Sequence, residues 1–346
     1  MELWQGRDDP GRDVLQAELA AAYLGDGLPL VPPTAQRVAA MLATGGWQHG
    51  DEIALVAPSF ETATAGDIAI CAVLAGCTAE CFPVLVAAVE AIADPQFNLL
   101  GIATTTGSAT PIIIVNGPIA ARIGLNGAGN ALGAGSRANM TLGRALTLAI
   151  LNICGAKPGE TDMATLGQPA KRGVCFAENI SESPWPPLHV ERGFAAEDGV
   201  VTVVGIAGTV EVNDSDSTTA ADMAQTFAQS MLIAGVAGGS GLLGGGEPLC
   251  LLPPEWAAAF AHDGLDKAAA KRAIWEHAVL DAAKLPPAMR NRRLAAAESG
   301  ADVLRVAERP EDLMIVVAGG VGRKAAYLPT WGGSTRAVSR RIRDRS

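Results

Sequence analysis

Apolar residues in this chain gather in short unbroken runs, and small residues or turn formers follow each run. The run at 52–58 (EIALVAP) leads into a helical pattern at 63–75. The run at 111–118 (PIIIVNGP) leads into 119–123, the run at 249–253 (LCLLP) into 255–262, and the run at 313–319 (LMIVVAG) into 324–328. A fifth strand is predicted at 200–206 (VVTVVGI). Strands buried on both faces read as continuous apolar runs rather than alternating ones, and strand–helix alternation points to parallel α/β layers. The pattern therefore predicts an α/β fold of largely parallel strand–helix units, in two α/β layers or halves. Helical spacing also marks 35–43, 140–150, 267–277 and 284–301. The last two read as exposed amphipathic helices without assigned chemistry.

The stretch 157–198 breaks the rhythm with five prolines and many polar residues. A long irregular segment in a compact protein is a linker or a functional loop. Three parts follow: an N-terminal α/β half over 1–155, the irregular loop over 156–198, and a C-terminal α/β half over 199–346. The glycine-dense region 232–252 reads as a loop between buried elements, and 238–246 as a mobile part of it.

The densest polar signal lies between 111 and 152. A loop with Gly127, Gly129, Gly133 and Gly135 precedes a helix, and Asn116, Asn126, Asn130, Arg137 and Asn139 stand in or beside it. Glycines allow close backbone approach to a ligand, and a helix start turns free N–H groups toward it. This predicts a pocket for a small anionic or amide-bearing molecule, with Arg137 as the carboxylate or phosphate partner. The alternative is a glycine-rich linker with solvated polar residues. No GK[ST] follows, and GAGNAL is only half a dinucleotide fingerprint. A second possible anion nest is Gly319 to Gly322, or else a strand-to-helix turn.

Cys77 and Cys81 lie in AGCTAECFPV, with Glu80 between them. If the preceding helix runs on, the thiols share one face; if it stops at Gly76 they do not. Such a pair can form a redox disulfide, bind a soft metal, supply one thiolate nucleophile, or be inert core. The irregular segment adds Cys175, Glu178, Trp185, His189 and Glu191. His189 and Glu191 point to one face if they lie on a strand, and a histidine among carboxylates can act as a base or metal ligand. Trp185 walls a pocket or staples the loop to the body. Thr34 is a predicted helix N-cap, and Asp26 a turn or capping residue.

Composition narrows the picture. Of 346 residues, 49% are hydrophobic and 18% charged, so a substantial core is expected. The net charge of −10 argues against a general nucleic-acid binder, which must neutralise phosphates. The arginines after Thr335 read as a solvated terminal face. No uninterrupted membrane span and no apolar N-terminal signal core are seen, and six cysteines do not make a disulfide scaffold. A cytoplasmic protein with reduced thiols is expected, self-associating as a homo-oligomer. No HExxH pattern or nucleotide signature occurs, which leaves metal and cofactor open.

DGLPLVPPT (26–34), AGCTAECFPVLVAAVEA (75–91), TTTGSATPIIIVNGPIA (104–120), GAGSRANMTLGRA (133–145) and SPWPPLHVERGF (183–194) together resemble a poorly characterised bacterial family. That family is associated with small UGSC-motif selenoproteins or thiol proteins. The resemblance spans roughly 26–195, with DLMIVVAGGVG near the end, and implies a partner bearing a reactive selenol or thiol. This chain has no Cys-Gly-Ser-Cys, and it has Pro254-Glu255-Trp256 where the family tends to show Pro-Glu-His.

Three functions are expected from these readings. The first is an enzyme or catalytic subunit performing thiol-assisted redox or C–heteroatom cleavage. There Cys77 or Cys81 is the thiolate, Glu80 or His189 the proton carrier, and the asparagines and Arg137 orient the substrate. The second is a hydrolase, lyase or hydratase built on His189, Glu178 and Glu191, with or without a metal. The third is a non-catalytic ligand-binding subunit of a thiol or selenol partner.

Overall fold

The computed structural model describes residues 10–22, 25–233, 246–296, 303–332 and 334–343. Most of the glycine-dense stretch 238–246, the end of the expected 284–301 helix and Arg345 lie outside the described residues.

Helix α1 (Pro10–Ala21) holds the extended arm before α2 (Ala35–Ala43): the Gln16 amide exchanges two hydrogen bonds with the Leu30 backbone, at 2.7 and 2.8 Å. Thr34 caps α2 by accepting from the Arg37 N–H. The antiparallel pair β1 (Glu52–Val56) and β2 (Glu61–Thr64) leads into α3 (Ala65–Ala75), where Thr64 and Asp67 form a capping box. Gly76, at φ +86°, ends that helix. Next come α4 (Phe82–Ile92), α5 (Leu99–Thr104), β3 (Thr110–Asn116), α6 (Pro118–Arg122), α7 (Arg137–Asn152), β4 (Cys175–Ala177), α8 (Leu188–Glu191), β5 (Val200–Ile206) and β6 (Val210–Asn213). The rest comprises α9 (Ala220–Met231), β7 (Leu249–Leu252), α10 (Pro254–His262), α11 (Lys267–His277), β8 (Val279–Asp281), α12 (Pro287–Ala296), β9 (Val303–Arg305), β10 (Met314–Val317), β11 (Lys324–Leu328) and β12 (Val338–Arg341).

Two four-stranded mixed sheets form the centre, in the orders β12-β5-β3-β4 and β10-β7-β11-β6. Alternation along the strands assigns their side chains to different layers. Ile112, Ile114, Phe176, Val204 and Ile206 of the first sheet share a core with Leu249, Leu251, Met314, Val316 and Leu328 of the second, so the sheets pack face to face. Ile113, Val115, Val201 and Val203 point the other way, into a core shared with α2, α3, α4, α5 and α7. Cys250, Leu252, Ile315, Val317 and Tyr327 pack under α9, α10 and α11. The result is a helix–sheet–sheet–helix stack.

The α/β class is as expected, but among the described residues parallel strand pairing is confined to β3 with β4 and β7 with β10, and the other strand pairings are antiparallel. An apolar run reports burial on two faces, and both orientations can be buried that way. KAAYL at 324–328 is a strand, not the predicted helix, because its alternate residues Ala325 and Tyr327 face the outer core. The strands of the first sheet come from all three sequence parts, with β4 drawn from the irregular segment and β5 and β12 from beyond it.

The two sheets repeat one connectivity. In the first, β3 is followed by α6 and α7, then by its parallel neighbour β4, and β5 lies antiparallel on the other side of β3. In the second, β7, α10, α11, β10 and β11 take the same steps, with β8, α12 and β9 inserted. Helices α3 and α9 match as well. Each starts from a threonine whose side chain accepts from an aspartate N–H, in TAGDIA (64–69) and TAADMA (219–224), and each packs on the long helix of its own half. Only the edge strands are exchanged. β6, which follows β5 in the chain, pairs with β11 of the second sheet, and β12, which follows β11, returns to β5 of the first.

Candidate functional site

The carboxyl ends of both parallel pairs meet. Asn179 N–H donates to Val317 O at 2.8 Å, just beyond β4 and at the end of β10. Ala318 N–H donates to Leu252 O, and the Asn179 amide donates to Gly319 O at 3.1 Å. The glycine loop closes over this junction: Gly319 N–H donates to Gly127 O at 2.8 Å, and Ala177 N–H to Asn126 O at 3.2 Å. Two glycines are sterically required here. A Cβ on Gly127 would lie 2.3 Å from Ala177 O, and one on Gly320 would lie 2.8 Å from the Gly129 Cα.

At this junction β3 ends in Asn116 and β4 is followed by Glu178. Asn116 Nδ2 donates to Glu178 Oε2 at 2.5 Å, and Leu188 N–H donates to the same oxygen at 2.8 Å. His189 follows Leu188 on α8 and is fully buried; Glu178 is 5% exposed. Burial pushes the Glu178 carboxyl up, against the opposing pull of Lys267, the Leu188 and Asn116 hydrogen bonds, and His189. His189 Nε2 lies 3.3 Å from Ala196 O. A carbonyl only accepts, so Nε2 is the donor in that contact. Glu178 Oε1, Asn116 Oδ1 and His189 Nδ1 are all buried, and none meets a partner among the described residues.

Glu191 leaves this cluster. Because α8 is a helix rather than the supposed strand, His189 and Glu191 point apart. Glu191 binds Lys267 at 3.0 Å and, more closely, Lys271, both lysines being buried on α11. Burial alone would raise its carboxyl, but the two ammonium groups hold it below the ordinary range. Lys267 also donates to Pro186 O at 3.2 Å. Trp185 is a staple: its indole N–H donates to Leu265 O, and its ring packs edge-on against Phe260.

The other expected binding groups shape the glycine loop. Asn139 accepts from Asn126 N–H at 2.8 Å and from the Ser136 hydroxyl, and it donates to Asn126 O and Ala131 O. Asn126 closes a turn onto Ala128 N–H and Gly129 O. Asn130, at φ +61°, donates to Ala134 O. Arg137 is exposed, and its guanidinium is held by Gly76 O at 2.9 and 3.2 Å, covering the end of α3. Of the expected substrate-orienting residues near the glycine loop, only Asn116 joins Glu178 and His189.

The thiols lie elsewhere. Gly76 stops α3, so Cys77 and Cys81 do not share a helix face; both sit in the outer core of the first half. Burial pushes the Cys77 thiol up to about 12 and raises that of Cys81. Glu80 is exposed, apart from Glu178 and His189. All six cysteines are free and buried. Among the described residues no set of three His, Cys, Asp or Glu side chains is placed to hold a metal ion. The second supposed anion nest is occupied from within, since Gly322 N–H donates to Glu255 Oε1 at 2.7 Å.

A larger cavity, about 650 Å³, opens at the far end of β3 between α5, α7 and residues 156–172. Several of its polar side chains are engaged internally, Asp26 with Arg144, Asp162 with Lys171, and Gln168 with two backbone carbonyls, while the exposed Arg172 lines it as well. Sequence reasoning passed over Lys267 and Lys271. Their one signal is a pair of lysines one turn apart in an alanine-rich helix, which reads as a solvated face.

Comparison with protein families, with curated proteins and with solved structures found no match.

Proposed function

We propose that this protein is an enzyme of the hydrolase, lyase or hydratase kind, acting on a small polar organic molecule by proton transfer at Glu178 and His189. The observation that carries the reading is the hydrogen-bonded pair of Asn116 and Glu178, each keeping a buried, unpartnered oxygen, with the buried His189 directly after Leu188, the second donor to that carboxylate. Leaving a buried polar atom unpaired costs about 1–3 kcal/mol, and sites that bear such a cost are concentrated where something else binds. Location supports it too, since α/β proteins bind ligands outside the carboxyl ends of parallel strands. In this reading His189 and Glu178, whose carboxyl pKa is raised by burial, exchange protons with the substrate, and Asn116 orients the carboxyl. Lys267 and Lys271 hold Glu191 and set the local charge.

The test is turnover of a panel of small amides, esters and hydroxy acids by the wild type and by Glu178→Gln and His189→Gln. Each variant is expected to lose turnover by about 10²–10⁴-fold, the usual range for a positioned acid or base, while keeping the wild-type circular dichroism spectrum. Folded variants as active as the wild type would overturn the reading.

A further inference from the structure

The hydrogen-bonding polarity of the Glu178 cluster selects what it can hold. Asn116 has committed its N–H₂ to Glu178, leaving only Oδ1. Glu178 has filled Oε2 with two donors, leaving Oε1. His189 meets Ala196 O through Nε2, and its Nδ1 is buried without a partner among the described residues. Asn116 Oδ1 and the ionised Glu178 Oε1 can only accept. The buried ammonium groups of Lys267 and Lys271 are engaged by Glu191 and Pro186 O. A carboxylate or phosphate brings only further acceptors, so the anionic ligand expected from the sequence does not suit this cluster.

Charge narrows the choice again. The two ammonium groups of Lys267 and Lys271 already stand against the two carboxylates of Glu191 and Glu178. An ammonium, a guanidinium or a metal ion would add an uncompensated buried charge, which is costly to hold. A neutral N–H₂ group adds donors and no charge. A carboxamide also serves the other protonation state: protonated Glu178 can donate to the amide carbonyl while Asn116 Oδ1 accepts from the amide N–H₂.

We infer that the cluster recognises a neutral carboxamide or ureido group, whose N–H₂ is offered to Asn116 Oδ1 and Glu178 Oε1. The inference rests on the site proposed above and names its substrate class.

The test is thermal stabilisation and calorimetric titration of the full wild-type chain with three isosteres, benzamide, benzoate and benzamidinium, with propionamide, propionate and propylammonium as a smaller set. Zn²⁺ and Mn²⁺ are titrated separately. The expected result is binding of the amides at least tenfold tighter than that of either charged partner, and a tenfold loss in Asn116→Ser. Because the isostere comparison uses the wild type, it decides the matter even if that variant does not fold. Equal or tighter binding of the carboxylate, the cation or a metal overturns the inference, and so does no binding by any amide. Amide binding without turnover of any panel compound would overturn the catalytic reading and leave this one standing. Turnover of a non-amide, lost in Glu178→Gln, with no amide bound would do the reverse.

Discussion

Glu178 and Glu191 lie close in the chain but in opposite electrostatic surroundings. The first is walled by backbone, an asparagine and a histidine, and its proton is held more tightly in the folded protein than in an unfolded chain. The second sits between two lysines, and its proton is held more weakly. A depressed carboxylate contributes stability above its unfolded value, about 4.3, and that contribution is lost as pH falls through the folded value. Glu191→Gln is therefore expected to destabilise the protein at pH 7 by roughly 2 kcal/mol, less than a fully buried pair because Glu191 remains partly exposed. The penalty should shrink as pH falls below 4, which urea titrations of both proteins at several pH values would read out. The cysteines allow a second check. Iodoacetamide at pH 8 is expected to leave all six unlabelled in the native protein and to label all six in urea, mapped by mass spectrometry. Rapid native labelling of Cys77 or Cys81 would restore the thiol reading.

At the scale of elements, the glycine loop is a built object. Asn139 ties its two ends to the first turn of α7 through four hydrogen bonds. Asn139→Ala should cost about 2–4 kcal/mol at roughly 1 kcal/mol per bond, and Gly127→Ala should cost at least as much through its clash with β4. Thermal unfolding measures both, and values below 0.5 kcal/mol would mean that the loop is loosely held. These residues also explain what was legible in advance. The runs at 111–118, 200–206 and 249–253 announced central strands, and Thr34 announced a cap, because burial and capping are local properties of a sequence. Strand direction was not legible, since a run buried on both faces looks the same either way. The asparagines were noticed as a group, but whether an amide faces a ligand or its own loop depends on a few ångströms of backbone path. Glu178 and His189 were picked out, whereas the lysines that set their charge were hidden in a helix that looked solvated.

For the whole molecule, the exchange of β6 and β12 makes the two halves interdependent. Val338 and Ile342 are buried in the outer core of the first half, and Arg340, Arg341 and Arg343 pair with Asp94, Asp198 and Glu90 of that half. A chain stopped after Leu328 should lose stability in its first sheet and expose apolar surface there. Dye binding and limited proteolysis followed by peptide mapping would locate the damage. Cleavage confined to the second half would contradict the exchange. The expected unfolding of the intact chain is a single cooperative transition, because the core between the sheets belongs to both.

The exchanged strands also set an order of events on the ribosome. β3, β4 and β5 emerge early and in sequence, yet the strand that covers the outer edge of β5 is made only after the whole second sheet. Until then the nascent first half presents an unpaired, strongly apolar edge, a template for pairing with another chain. Closing it requires a contact between residues as far apart as Val203 and Val338, and such distant pairings form slowly. The first half, with the proposed site on it, is therefore built first and finished last.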